Sequence, residues 1–174
     1  MAVLVITGIM AAGKSTVAQL VAERLPRAVH VRGDVFRRMI VSGRADPTPG
    51  NAAEAEAQLR LRYRLATSTA DEYAAAGFTA VVQDVVLGGH LRTFVDSVRT
   101  RPRHVVVLAP SPEAVAAREA ARPKSGYGAW TVADLDRGLR EGTPRIGWWL
   151  DTTDLTPGQT ADAILADLER SRVD

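Results

Sequence analysis

Residues 8–15 read Gly8-Ile9-Met10-Ala11-Ala12-Gly13-Lys14-Ser15 and fill the spacing G-x-x-x-x-G-K-[ST] position by position. Before them, Ala2-Val3-Leu4-Val5-Ile6-Thr7 is a short apolar, β-branched run of the kind that forms a strand buried on both faces. After them, Val17, Leu20, Val21 and Leu25 recur at helical spacing, and Pro26 stops the helix. Strand, glycine loop and helix therefore follow in the order that a phosphate-binding loop requires. Gly8 and Gly13 let the backbone wrap a phosphate, and the loop N–H groups and helix N-terminus offer it positive potential. Lys14 is placed to bridge the terminal phosphates of a nucleotide, and Ser15 to hold Mg²⁺. Ala11, Ala12 and Thr16 complete the nucleotide-binding set, so the expected ligand is a nucleoside triphosphate with Mg²⁺.

Outward from the loop, strand and helix signals alternate. Strands are expected at 2–7, about 28–31, 78–83, 104–109 and 146–150. Asn51 can cap a long helix running to about Ala76 and ended by Gly77, and Ser111-Pro112 opens another with Pro in the first turn. Thr131-x-x-Asp134 and Thr156-Pro157-x-Gln159 resemble capping boxes for the last two helices. In the long helix, Leu59, Ala66, Ala70 and Tyr73 form one stripe with Tyr63 beside it, Arg60 and Arg64 share another face, and Arg62 points elsewhere. Ser42 to Gly50 is a loop by composition, and Trp148 and Trp149, on alternate faces of a strand, read as packing residues. The expected fold is α/β: three layers, with a five-stranded, mainly parallel sheet between helices and ligands bound beyond the strand C-termini. The whole chain, residues 1–174, reads as a single domain.

Beyond the second strand stands Gly33-Asp34-Val35-Phe36-Arg37-Arg38. A phosphate loop on strand one followed by Asp-x-x-Arg after strand two resembles the small P-loop kinases: adenylylsulfate, gluconate and shikimate kinases, chloramphenicol phosphotransferase and the 5′-polynucleotide kinases. The resemblance extends over nearly the whole chain, although the acceptor-binding segments single out no subfamily. It implies that Asp34 accepts the proton of an acceptor hydroxyl and that Arg37, rather than Arg38, helps to bind acceptor or transferring phosphate. Such chemistry needs the pair, because an alcohol loses its proton as it attacks phosphorus. Asp34 is also placed to cap the helix that begins at Val35.

Asp84 closes the third strand and is a second carboxylate at the sheet edge. An acidic residue there binds Mg²⁺ directly or through water in many P-loop proteins; binding the acceptor, orienting Asp34 or bonding nearby backbone are the alternatives. Arg62 and Gln58 on the long helix are further acceptor-side candidates, and His90 stands in a Gly-rich loop. From Arg118 the chain reads REAARPKSGYGAW. Arg118-x-x-x-Arg122 resembles the nucleotide-kinase arrangement in which one Arg stacks on adenine and another enters from a lid. The lid would cover about residues 119–130, with Gly126 and Gly128 permitting hinge motion and Arg122 and Lys124 closing over the phosphoryl charge. Tyr127 and Trp130 are packing residues or contacts. Asp151-Thr152-Thr153-Asp154 falls where related kinases run their adenine-contacting loop.

Composition narrows the classes. A net charge of +2 is too small to argue for nucleic acid by itself. Of 22 basic residues only Lys14 and Lys124 are Lys, one in the phosphate loop and one in the expected lid. Cys is absent, which fits a cytoplasmic protein, and no long apolar stretch or leader-like N-terminus is read. The leading expectation is an ATP-dependent kinase acting on a hydroxyl of a small molecule, a metabolite or an antibiotic. A 5′-hydroxyl polynucleotide kinase is the alternative, and a nucleotide-dependent switch is the alternative of another class.

Overall fold

A computed structural model describes residues 1–46, 50–121 and 131–174. In chain order these form β1 (Val3–Thr7), α1 (Lys14–Arg24), β2 (Ala28–Arg32), α2 (Gly33–Arg38), α3 (Ala52–Ala75), β3 (Thr79–Gln83) and α4 (His90–Ser97). Then come β4 (Arg103–Leu108), α5 (Pro112–Ala120), α6 (Val132–Gly142), β5 (Trp148–Leu150), α7 (Pro157–Ala166) and a 3₁₀ turn over Leu168–Ser171. The strands lie in the order β2-β3-β1-β4-β5, and every pairing is parallel.

The apolar runs explain the layering. All of β1 and nearly all of β4 are buried, because these inner strands are covered on both faces. α1 packs with α7, and α3 packs with α4 across β3 and β1. The result is a three-layer P-loop fold. Three of the expected caps form: Ser111, Thr131 and Thr156 accept from the N–H three residues on, the last two as full capping boxes. Asp34 does not cap α2, which begins one residue earlier, at Gly33, with Arg32 at its N-cap; Asp34 lies in the first turn instead. Asn51 stands at the N-cap of α3 without a side-chain cap bond. Among the described residues no helix is long and apolar enough to cross a membrane.

Two further local readings change. The buried stripe of α3 is Tyr63, Ala66, Thr67, Ala70, Asp71 and Ala74, whereas Tyr73 is 42% exposed with its ring edge-on to Phe78. A 3.6-residue period lets either Tyr73 or Ala74 face the sheet, and the smaller side chain fits the close packing there. His90 does not sit in a loop; it opens α4 after Gly89.

Parallel pairing gathers the five strand ends, Thr7, Arg32, Gln83, Leu108 and Leu150, along one edge. Reciprocal hydrogen bonds lock that edge: Thr7 Oγ1 donates to Val86 O at 3.2 Å, and Val86 N donates to Thr7 Oγ1 at 2.9 Å. The phosphate loop and the segment after β3 are thereby fixed to each other.

Candidate active site

The loop from Gly8 to Gly13 leaves β1 at this edge and delivers Lys14 and Ser15 into the first turn of α1. Gly8 has φ +145°, and a β-carbon there would stand 2.6 Å from Leu108 O, so only Gly allows the turn between two strand ends. Ala11 holds φ +61° and is the one non-Gly residue with positive φ among those described. α1 begins on Gly13 with no side-chain cap and no acid in its first turn, so its N-terminal potential faces the loop. Lys14 is buried and its Nζ donates to Ile9 O at 2.7 Å, which folds the ammonium over the loop. Loop, helix end and ammonium together fit a polyphosphate.

Ser15 Oγ donates to Gln83 Oε1 at 3.1 Å, joining α1 to the last residue of β3. The next residue, Asp84, turns its carboxylate to the α3 side. Arg62 Nε donates to its Oδ2 at 2.8 Å, a second Arg62 nitrogen pairs with its Oδ1, and Val85 N donates to Oδ1 at 2.7 Å. Burial pushes the Asp84 carboxyl above its ordinary range, while Arg62, the Val85 N–H and Lys14 favour the carboxylate. Gly33 presses against this carboxylate from the β2 side. Asp84 is thus a buried junction between the lysine of the phosphate loop and the arginine of α3.

Asp34 occupies the first turn of α2, 51% exposed in its side chain. Its carboxylate pairs with Arg38 at 3.1 Å, not with Arg37, because the i,i+4 position lies on the same helical face. Arg37 pairs with Asp46 on the following loop. Burial, then the charges of Arg44 and Arg62, lower the Arg37 pKa, which marks three guanidinium groups converging at one place. Arg44 was not singled out by sequence; no spacing tied a loop Arg to a helix ahead of it.

Beside this cationic group a cavity of about 690 Å³ opens between α2, the 43–46 loop and α3. Phe36, Met39, Ile40, Leu59, Leu61 and Leu65 supply its apolar wall, with Arg37, Glu56, Gln58 and Arg62 as its polar members. Gln58 braces the wall: its amide accepts from Ala45 N at 2.9 Å and donates to Gly43 O at 2.8 Å. Glu56 pairs with Arg60 at 2.8 Å and stands 3.5 Å from His90, whose ring packs edge-on to Tyr63. Tyr63 itself donates to Val85 O at 2.8 Å.

On the opposite side, Arg118 donates to Thr152 O at 2.8 Å and lies 3.4 Å from Thr153 O. It ties the end of α5 to the loop after β5, the loop expected to meet adenine. Arg122, Lys124, Tyr127 and Trp130, and with them most of the expected lid, lie outside the described residues.

The sequence pattern of AAA_33, described as an AAA domain, matches residues 3–144. The chain belongs to the AAA_33 family. Over 58 residues it is 41% identical to a UPF0200 protein of Aeropyrum pernix, a match spanning 33% of this chain and 31% of that protein's length. In structure the AAA_33 chain is similar to an unliganded sugar kinase from Janibacter sp. HTCC2649, at TM-score 0.71 and 20% identity over 98% and 96% of the two chains. It is also similar to the APS kinase of Mycobacterium tuberculosis in complex with AMPPNP and APS, at TM-score 0.68 and 20% identity over 96% of each. These likenesses establish the fold of the P-loop kinases for this AAA_33 domain.

Proposed function

We propose that this chain is an ATP-dependent phosphotransferase that moves the γ-phosphoryl group to a hydroxyl of a small molecule. The observation that carries the reading is the continuity of the site: Lys14, Asp84, Arg62 and Arg37 run in sequence from the phosphate loop to the mouth of the cavity between α2 and α3. A switch or a simple binding module needs a triphosphate pocket; it does not need a second pocket joined to it by a charged relay. That the similar APS kinase holds AMPPNP and APS together supports the two-pocket reading.

In this reading the acceptor oxygen attacks the γ-phosphorus. A new P–O bond forms, the bond to the β–γ bridging oxygen breaks, and ADP carries that oxygen away. The hydroxyl proton passes to Asp34, whose half-exposed carboxylate stands on the helix that lines the cavity with Phe36 and Arg37. Lys14 and Arg37 balance charge on the phosphoryl oxygens, and Arg62 holds Asp84 in place. Arg122 and Lys124 would add their charge from the lid. Ser15 and Asp84 would supply oxygen donors for Mg²⁺, which would neutralise charge on the polyphosphate. The loop residues Gly8, Ala11, Ala12, Gly13 and Thr16 hold the polyphosphate, and Arg118 acts on the base side by fixing the 152–153 backbone.

The test is a transfer screen: protein, ATP and Mg²⁺ with pooled hydroxylated metabolites, antibiotics and 5′-hydroxyl oligonucleotides, read by mass spectrometry. A phosphorylated product that is lost in Lys14→Ala, and reduced on the order of a hundredfold in Asp34→Asn with ATP affinity kept, supports the reading. ATP hydrolysis without any product, unchanged in Asp34→Asn, would sink it in favour of a switch. Salt-dependent retention of a single-stranded oligonucleotide would favour the polynucleotide alternative.

A further inference from the structure

The cavity between α2 and α3 says more about the acceptor than that it carries a hydroxyl. Its volume of about 690 Å³ falls inside the roughly 300–1,000 Å³ range of pockets that bury a drug-sized molecule. Six large apolar side chains face it, from α2 and the two residues after it and from α3. Each of its four polar members already has a protein partner, so the donors left over are chiefly guanidinium N–H groups of Arg37 and Arg62. Gln58 spends its amide on Ala45 N, Gly43 O and Glu54; Arg62 is bound to buried Asp84; Glu56 is paired with Arg60; and Arg37 is paired with Asp46. A polyhydroxylated sugar, a sugar acid or a nucleotide entering here would give up its bonds to water and find few free partners. An apolar body loses nothing by the exchange, and each buried Å² of it is worth about 25 cal/mol.

We propose that this cavity takes an alcohol with a bulky apolar body, aromatic or branched aliphatic, seated with its hydroxyl at the Arg37–Arg62 end. The role of that hydroxyl rests on the phosphotransferase reading; the nature of the body follows from the walls alone. Two further features support a small molecule as occupant over a second copy of the chain. The cavity is concave, and its polar end runs directly into the arginine cluster beside Asp84, where a reacting group would stand. Met39, Leu61 and Leu65, 67%, 39% and 41% exposed, form an open apolar rim through which such a molecule enters.

The experiment pairs binding with turnover. The panel has two halves matched in size: aryl and polycyclic alcohols, against sugars, sugar acids and 5′-hydroxyl oligonucleotides. Each member is titrated calorimetrically into the protein with MgADP present, and separately offered with MgATP for transfer. Two variants act on the cavity: Ala55→Trp fills it from α3, and Leu65→Glu places a charge on its wall at an exposed position where folding is not at stake. The expected result is saturable binding in the aryl half, weakened at least tenfold in both variants, with MgADP affinity unchanged within about twofold. Binding of that kind without transfer supports the cavity assignment while removing the kinase reading. Transfer confined to the polar half, undiminished in both variants, leaves the kinase reading and overturns this one. So does the absence of binding from both halves. A dimer seen by sedimentation that Leu65→Glu dissociates, with alcohol binding unchanged, also overturns it in favour of a second copy.

Discussion

Gly33 and Asp84 share the space of one side chain: a β-carbon on residue 33 would overlap the Asp84 carboxylate. The carboxylate in turn is held by Arg62 and by Val85 N. α2, β3 and α3 therefore meet at one small buried contact, and it is an ionic one.

Gly33→Ala is expected to push Asp84 off Arg62. Overpacking of this kind costs about 1–3 kcal/mol, and a buried charge losing its partner adds to that. Urea unfolding should show the loss, and transfer should fall with it. Arg62→Ala, which leaves the carboxylate buried and unpaired, is expected to cost about 3–5 kcal/mol by the same measurement. Wild-type stability in both variants would show that the junction is not a structural one.

Arg37 and Arg38 are neighbours with different surroundings, and single substitutions should separate them. The Arg38–Asp34 pair is exposed and i,i+4, so Arg38→Ala should change stability by less than about 1 kcal/mol. If Arg37 is the residue that meets the phosphoryl group, Arg37→Ala should lower kcat on the order of a hundredfold, and Arg38→Ala should stay within a few-fold. The opposite order would move the role to the residue that touches Asp34. Steady-state kinetics on the product found by the screen decides it.

Asp71 points into the fold from the apolar stripe of α3 and accepts from Arg99 N, Thr100 N and Thr100 Oγ1 at 2.8–3.2 Å. Burial opposes its charge, but these donors prevail and hold its pKa below the ordinary value. Removing the carboxylate orphans several donors where the chain turns toward β4. Asp71→Ala should cost about 2–3 kcal/mol in urea unfolding, with nucleotide affinity of the folded protein unchanged. A cost under about 0.5 kcal/mol would mean that water replaces the carboxylate.

His30, on β2, has Nδ1 2.9 Å from Gln19 Oε1 and a buried Nε2 with no hydrogen-bond partner. Burial first, then Arg32, lower its pKa to about 4, with Asp34 acting the other way. The unfolded chain, near 6.5, then binds the proton first as pH falls. His30 thus favours the fold fully above about pH 6.5 and loses that contribution as pH drops toward 4. His30→Gln should flatten the fall of stability across that window. Melting curves at pH 7.5, 5.5 and 4.5 make the comparison, and identical slopes in the two proteins would assign the acid sensitivity elsewhere.

What the sequence disclosed and what it hid divide along physical lines. The phosphate loop, the helix caps at Ser111, Thr131 and Thr156, and the apolar runs of β1 and β4 are local. Each is written in a few consecutive residues, and the fold follows from them. The partnership of Arg62 with Asp84 spans 22 positions and has no local mark; at helical spacing Arg62 merely stood off the Arg60–Arg64 face. The pairing of Asp34 with Arg38 was open to sequence, since i,i+4 is a helical rule, but the family motif drew attention to Arg37. The cavity is a gap between α2 and α3, and a gap has no letters. Tyr73 and Ala74 competed for one place on a stripe, and side-chain size, which a period does not weigh, settled it.

One consequence of the strand end remains. Gln83 faces Ser15 and Asp84 faces Arg62, so the last residue of β3 and the one after it answer to opposite layers. A one-residue slip of this strand against β1 in one direction would set the Asp84 carboxylate beside Ser15 and Val85 against the Arg62 guanidinium; in the other it would set the Gln83 amide against Arg62 and Val82 beside Ser15. Hydrophobic strands such as Thr79–Gln83 resist slipping only weakly by their own pattern, since Val81 and Val82 are nearly interchangeable. Here the polar pair at the tip checks the alignment of the valines behind it. The site thereby acts as the proofreader of the sheet that carries it.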